Sequence, residues 1–246
     1  MKALVLAAGY ATRLYPLTIE YPKPLLKVGD RPIVNYILEK LDAIDAVDEI
    51  FVVTNTKFIA RFRQWKKKIK SSKRITLIDD LTRDYKHRRG AIGDMIFAIR
   101  KKHIKGDLLV IGGDNIFDGS LNKFLRFARS HRPHPLIGVF NIRSKAKARC
   151  YGVVGLDKKK RLVAFQEKPV KPHSALVAMC LYFFPKRSLG LIDEYARTAD
   201  KQDATGFYID WLSKRASVYG YVFHGRWYDI GSPKIYKEVN KKNGEW

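Results

Sequence analysis

The stretch KALVLAAGYATRLYPLT, residues 2–18, decides the fold. The apolar run from Ala3 to Ala8 has strand length, and its unbroken hydrophobicity marks a strand buried on both faces. It runs into a loop of small residues at Gly9. Beyond the loop, Pro32 opens an amphipathic segment, PIVNYILEKLDAI, whose Ile33, Tyr36, Ile37, Leu41 and Ile44 follow helical spacing. EIFVVTN (49–55) reads as the next strand, followed by a basic helix over 58–69 and a short strand over 75–78. A helix over 91–102 then leads to the strand DLLVIGGDN (107–115). Strands alternating with helices predict an α/β fold, a mainly parallel, doubly wound, Rossmann-like sheet with helices on both faces. Ligands of such sheets lie beyond the carboxyl ends of the strands.

The pattern changes after about residue 135. LIGVFNI, YGVVGLD, LVAFQEK and LVAMCLYFF are strand-like with few helices between them, a smaller β-rich elaboration expected to cover the ligand edge. Helices over 186–197 and 208–216, a strand over 218–223 and a helix from Pro233 are expected to close the chain. One domain over 1–246 is expected, with a first half over approximately 1–134 and a closing half over 135–246.

Composition narrows the partners. Forty-six per cent of residues are hydrophobic, enough for a packed core and against disorder. Lys and Arg number 48 against 24 Asp and Glu, a formal charge of +24 that favours anionic partners. The cations are dispersed in runs such as 66–68, 86–89 and 158–161, the distribution of a solvated surface rather than of a tail. No helix-turn-helix, zinc-finger or ribonucleoprotein signature accompanies them, so nucleic acid is not the expected partner. Cys150 and Cys180 form no Cys-x-x-Cys pair, which argues against a disulfide framework or zinc site and for a reduced, cytoplasmic setting. No apolar run approaches membrane-spanning length, and a homo-oligomer is left open.

Chemistry concentrates in the opening loop. Ala7, Ala8, Gly9 and Ala11 let the backbone approach a phosphate chain, and successive amides can form an anion nest. Arg13 adds forked hydrogen bonds for phosphate oxygens, and Lys23 adds a compact charge. A short glycine turn alone is an ordinary connection; the whole string is not. It lacks the Gly-Lys-Ser/Thr of a P-loop and the further glycines of a dinucleotide fingerprint. Asp114 ends an apolar strand at the expected ligand edge, although an Asp-Asn after Gly-Gly read alone is a turn or cap. Lys168, in FQEKP, read alone is a surface cation.

Taken together these residues resemble the sugar-nucleotide pyrophosphorylases, the sugar-1-phosphate nucleotidyltransferases that include glucose-1-phosphate thymidylyltransferases. That family's loop reads G-x-G-T-R-L-x-P-x-T followed by P-K-x-L. Here it reads Gly9-Tyr10-Ala11-Thr12-Arg13-Leu14-Tyr15-Pro16-Leu17-Thr18, then Pro22-Lys23-Pro24-Leu25, with Ala11 replacing the second glycine. GDNIF at Asp114, YGVV at Gly152, QEKP at Glu167 and Lys168, and RWYDIGSP at Asp229 follow in the family's order.

The resemblance implies a GT-A-type nucleotidyltransferase sheet whose first half binds nucleotide and whose second half binds sugar. It implies nucleotide contacts from Ala8, Gly9, Thr12, Gly90 and Asp114, and catalytic cations at Arg13, Lys23 and Lys168. It implies sugar contacts from Gly152, Glu167 and Lys168, and a Mg²⁺ ion held by Asp114 and Asp229. The substrates implied are a nucleoside triphosphate and a sugar 1-phosphate, with glucose 1-phosphate and dTTP or UTP as the first pair. A phosphocholine cytidylyltransferase or a non-catalytic, nucleotide-sugar-binding regulatory paralogue are the alternatives. The chain departs from the family at Cys180, at Ala175 and around Gly90 and Gly93, where bases and sugars are read. It is expected to lack the left-handed β-helix that some relatives carry after the helix from Pro233.

Overall fold

The structure, a computed structural model, describes residues 1–198 and 204–241. In chain order the first half comprises β1 (Lys2–Leu6), the small hairpin β2 (Lys27–Val28) and β3 (Arg31–Pro32), α1 (Ile33–Asp42), β4 (Glu49–Thr54), α2 (Ile59–Lys68), β5 (Arg74–Asp79), α3 (Gly90–Lys101), β6 (Leu108–Gly112), β7 (Asn115–Phe117) and α4 (Leu121–Ser130). The second half comprises β8 (Leu136–Asn141), α5 (Lys145–Ala148), β9 (Gly152–Leu156), β10 (Leu162–Glu167), β11 (Leu176–Phe184), α6 (Leu189–Thr198), α7 (Thr205–Ser213), β12 (Tyr219–Phe223), β13 (Trp227–Asp229) and α8 (Pro233–Lys241). No helix among the described residues is long and apolar enough to cross a membrane.

β1 lies between β4 and β6, parallel to both, and β5 continues the parallel run outside β4. Successive side chains of a strand point to opposite faces. Ala3 and Val5 therefore enter one core layer, with Val34, Ile37 and Leu41 of α1, Phe62 and Trp65 of α2, and Phe124 and Leu125 of α4. Leu4 enters the other, with Ile92 and Met95 of α3, Ile192 of α6 and Tyr208 and Leu212 of α7. The expected doubly wound arrangement is present, with helices on both faces.

Three features differ from the sequence reading. The strands after residue 135 do not form a layer of their own but extend the same sheet, in the order β10-β9-β11-β6-β1-β4-β5, with β8 on β11 and β12 on β8. β11 is antiparallel to β6, so the sheet is wholly parallel from β6 to β5 and mixed beyond. α4, passed over in the strand-by-strand reading, carries a full local signal: Ser120 Oγ accepts from Lys123 N, and Leu121, Phe124, Leu125 and Ala128 form one apolar stripe. Finally, α7 begins at Thr205, earlier than residue 208, and this places its first turn at the site described below.

One buried acid pair outside that site makes stability depend on pH. Asp80, just after β5, and Asp94, in the second turn of α3, are both buried, and Asp94 Oδ1 has no hydrogen-bond partner. Asp80 Oδ1 accepts from Thr82 N at 2.7 Å, and Thr82 Oγ1 lies 3.0 Å from Tyr10 OH. Burial, and then the charge of Asp80, push the Asp94 carboxyl from 3.8 up to about 8. The folded chain thus holds a proton that the unfolded chain releases at 3.8, and stability falls as pH rises from there to about 8. Asp94→Asn should remove that slope. Urea midpoints at pH 6 and pH 9 should lie closer together in the variant, a residual slope remaining from Asp229, and at pH 9 the variant should exceed the parent by an amount on the order of several kcal/mol. Parallel pH profiles for the two proteins would contradict the assignment.

Candidate active site

The carboxyl ends of β1 and β6 meet at the point where connections leave the sheet in opposite directions, and the opening loop fills that crevice. Gly113 N donates to Leu6 O at 2.8 Å, and a methyl at Gly113 would stand 2.8 Å from that same oxygen. Asn55, at the end of β4, holds the loop by donating from Nδ2 to Ala8 O at 2.8 Å. Ala11 takes the left-handed conformation, φ 48° and ψ 43°, and its carbonyl accepts from Thr18 Oγ1 at 2.8 Å and Leu14 N at 2.9 Å. A Cβ at such a position costs about 1–2 kcal/mol, partly offset by the lower entropy of the unfolded alanine chain. Ala11→Gly should therefore leave the urea midpoint unchanged or raise stability by up to about 1 kcal/mol. A clear destabilisation would show that the methyl makes a contact worth more than the strain.

Two aspartates from opposite halves of the chain come together here. β7, directly after Asp114, pairs antiparallel with β13, directly before Ile230, in a register that sets Asp229 opposite Asn115. Ile230 N donates to Asp114 O at 3.0 Å, and Trp227 Nε1 donates to Asn115 Oδ1 at 2.6 Å, fixing the ladder. The two carboxyl groups lie close enough for the charge of Asp114 to act on Asp229. Lys23, in a single 3-10 turn (Lys23–Leu25), donates from Nζ to Asp114 Oδ2 at 2.5 Å.

Charge is divided unevenly over this group. Burial alone would raise the Asp114 pKa, but the Lys23 ammonium outweighs it and holds the carboxyl below its usual range. Burial would likewise lower Lys23, and the two aspartates raise it instead. Asp229 is pushed up to about 7 by burial and then by the Asp114 charge, against the pull of Lys23 and Arg13. A methyl at Gly231 would lie 3.5 Å from Asp229 Oδ2 and 3.8 Å from Arg13 Nη2, so Arg13 closes the group from the loop side.

Arg13, Asp114 and Asp229 line an open cleft of about 680 Å³, and Gly152, Glu167 and Lys168 line the same cleft. Glu167 ends β10 and Gly152 begins β9, opposite it in the ladder. Lys168 Nζ lies 3.5 Å from Glu167 Oε1, and its backbone N donates to Tyr151 O at 3.0 Å. Burial raises the Glu167 pKa against the pull of Lys168. Phe140 and Tyr151 flank Trp227 with ring centroids 5.6 Å and 5.4 Å away, giving the cleft an aromatic wall.

A family model for nucleotidyl transferases matches residues 2–245. The chain belongs to the nucleotidyl transferase family. Among relatives of this nucleotidyl transferase, the bifunctional protein GlmU of Methanocaldococcus jannaschii is 29% identical over 245 residues, covering 98% of this chain and 54% of that protein. Mannose-1-phosphate guanylyltransferase 1 of Arabidopsis thaliana is 28% identical over 246 residues, covering 96% of this chain and 63% of that protein. The chain thus spans between half and two thirds of these relatives' lengths. A UDP-glucose pyrophosphorylase solved with UDP-glucose shares the fold, with a TM-score of 0.80 at 18% identity, covering 98% of this chain and 97% of that one.

In this nucleotidyl transferase the residues singled out from sequence fall into three groups. Arg13, Asp114, Gly152, Glu167, Lys168 and Asp229 line one cleft. Lys23 is largely buried and committed to Asp114. Ala8, Gly9 and Thr12 lie on the opening loop, and Gly90 begins α3 at φ 75° beside Ala91 of the cleft wall. Sequence reasoning passed over Asn115, Trp227, Thr205 and Gly206. Thr205 Oγ1 lies 2.7 Å from Tyr182 OH, and Gly206 leaves the space that the Glu167 carboxylate occupies. Cys180 interrupts β11 at φ 51°, where the pairing with β8 shifts register, and its buried thiol is pushed up to about 12 by burial and then by Asp114.

Proposed function

We propose that this nucleotidyl transferase joins a nucleoside triphosphate to a sugar 1-phosphate, releasing pyrophosphate and a nucleotide sugar. The observation that carries this reading is the meeting of Asp114 and Asp229 beside Lys23 and Arg13, in a cleft that Glu167 and Lys168 also line. In the reaction an oxygen of the sugar phosphate attacks the α-phosphorus in line, a P–O bond forms, and the bond to the β-phosphate breaks. The attacking oxygen is already anionic near neutral pH, so no general base is required. The protein's part is positioning and charge.

Arg13 is assigned to the triphosphate and the departing pyrophosphate, together with loop amides from Ala8 to Thr12. Lys168 is assigned to the sugar phosphate, where it offsets repulsion between the two phosphate groups. Glu167 and the backbone at Gly152 are assigned to sugar hydroxyls, and the start of α3 at Gly90 to the nucleotide. Lys23 acts first on Asp114, keeping it ionised. Asp114 and Asp229 fit a divalent cation, with Mg²⁺ as the proposed ion: both are hard oxygen donors, already adjacent, and Mg²⁺ takes one or two carboxylates beside phosphate oxygens and water. When bound, the ion would supply charge neutralisation at the phosphates.

Glucose 1-phosphate with dTTP or UTP is the pair proposed first, from the loop resemblance; the Arabidopsis relative makes mannose 1-phosphate with GTP the next. The aromatic wall of Phe140, Tyr151 and Trp227 favours one further reading, phosphocholine with CTP, since a quaternary ammonium binds to ring faces. Pyrophosphate release, measured for each triphosphate crossed with sugar 1-phosphates and phosphocholine in the presence of Mg²⁺, tests all of these. Release from no pair would sink the enzymatic reading and leave the binding paralogue. Release undiminished in Asp229→Asn would remove the metal assignment.

A further inference from the structure

β5 is the outermost strand at one edge of the sheet, hydrogen-bonded to β4 alone. A groove of about 630 Å³ runs along that edge, lined by Arg63, Lys66 and Lys67 of α2 and by residues 74–77 of β5. Positions 63, 66 and 67 share one helix face, so three cations stand in a row beside the strand. Over residues 61–74 the chain has eight Lys and Arg and no acidic residue. Of the four cations on the groove, Arg74 is the one with an ion pair among the described residues. Its partner Glu49, at 3.5 Å, is shared with Lys2 at 3.2 Å. None of the groove residues borders the cleft of the proposed reaction.

An unpaired edge strand is a template for another strand, and charged side chains decide which strand can approach. Pairing of β5 with β5 of a second copy would set one basic row against another, so self-association is disfavoured. The same row attracts an acidic segment. A peptide fits the groove better than a nucleic acid does. No aromatic ring lines the groove for base stacking, and the edge offers alternating N–H and C=O groups. A peptide strand pairs with both, whereas a phosphodiester accepts only from the N–H groups. We propose that the groove between β5 and α2 docks an extended acidic segment of a partner protein, added to the sheet edge as a further strand. Side chains of the added strand alternate in direction, so acidic residues at every second position meet Arg63, Lys66 and Lys67.

The test uses the full chain and a fluorescein-labelled peptide of alternating Glu and Val, followed by anisotropy. The comparison probes are the same peptide N-methylated at alternate amides and a short DNA duplex. Binding should weaken with salt, and N-methylation should weaken it about tenfold or more through lost backbone hydrogen bonds. Lys66→Glu with Lys67→Glu should weaken it at least about tenfold. The unmethylated peptide should also slow amide exchange in residues 74–77 of the unsubstituted chain, a readout independent of how the double variant folds. Equal binding of the methylated peptide, equal binding of the duplex, unprotected amides at 74–77, or no binding at all would each overturn the proposal.

Discussion

Asp114→Asn should lower kcat by about 10²–10³ while leaving the chain folded. The amide preserves the shape of the side chain and removes its charge. Lys23 loses its 2.5 Å partner, but Asp229 stands next to it, held up to about 7 partly by the charge of Asp114. With that charge gone Asp229 ionises more readily and takes over the ammonium, so the cost in stability is small. Lys23→Met is the opposite case. It leaves two half-buried carboxyl groups facing each other with Arg13 but not Lys23 to offset them, and breaking such a pair costs up to about 3–5 kcal/mol. Thermal melts with and without Mg²⁺ separate the two effects, because an ion held by both aspartates stabilises the folded chain by mass action. Mg²⁺ should raise the melting temperature of Lys23→Met by more than that of the parent. Equal shifts in both would mean that the aspartates do not hold the ion together.

On the proposed reading, Gly206→Ala should impair the handling of the sugar phosphate selectively. A methyl there would overlap Glu167 Oε2 and lie 2.7 Å from its Cδ and 3.1 Å from Phe165 Cε1. The carboxylate has to swing away, and Gly152 stands on its other side, where a methyl would approach the same oxygen at 3.2 Å. Glu167 therefore leaves both its 3.5 Å pairing with Lys168 and its place over the cleft. Because the colliding atom is the end of a side chain, the cost in stability should stay near 1 kcal/mol, at the low end for overpacking. The effect on catalysis should be larger, about tenfold or more in kcat/KM for the sugar phosphate. KM for the triphosphate should be nearly unchanged, since Arg13 and the opening loop are untouched. A matching rise in both KM values, or a loss of stability well beyond that, would show a collapse of α7 rather than a displaced Glu167.

Much of the fold was legible because its determinants are local. The unbroken apolar run of β1, the helical spacing of Ile33, Ile37 and Leu41 and the strand before Asp114 each carry their own period. α4 carries an equally local signal in Ser120 and its apolar stripe. The strands after residue 135 carry the right local pattern too, but nothing local states that β11 pairs with β6 and thereby joins the existing sheet.

The same division runs through the site. By itself the sequence marked a loop of small residues with cations at Arg13 and Lys23, a pattern expected to handle phosphate, since small residues and charges at short spacing act through their neighbours. The two aspartate-bearing segments stood out through the family resemblance. Only the tertiary structure decided that Asp114 lies against Asp229, through the β7–β13 register and the bond from Trp227 to Asn115. Only it placed Lys23 on Asp114, Ala11 in a left-handed turn, and Gly206 where the Glu167 carboxylate needs room. The reason is physical. Periodicity tells a residue which face it occupies, while the register between distant strands is settled by long-range packing, and the charge carried by a buried carboxyl depends on which neighbour that packing supplies.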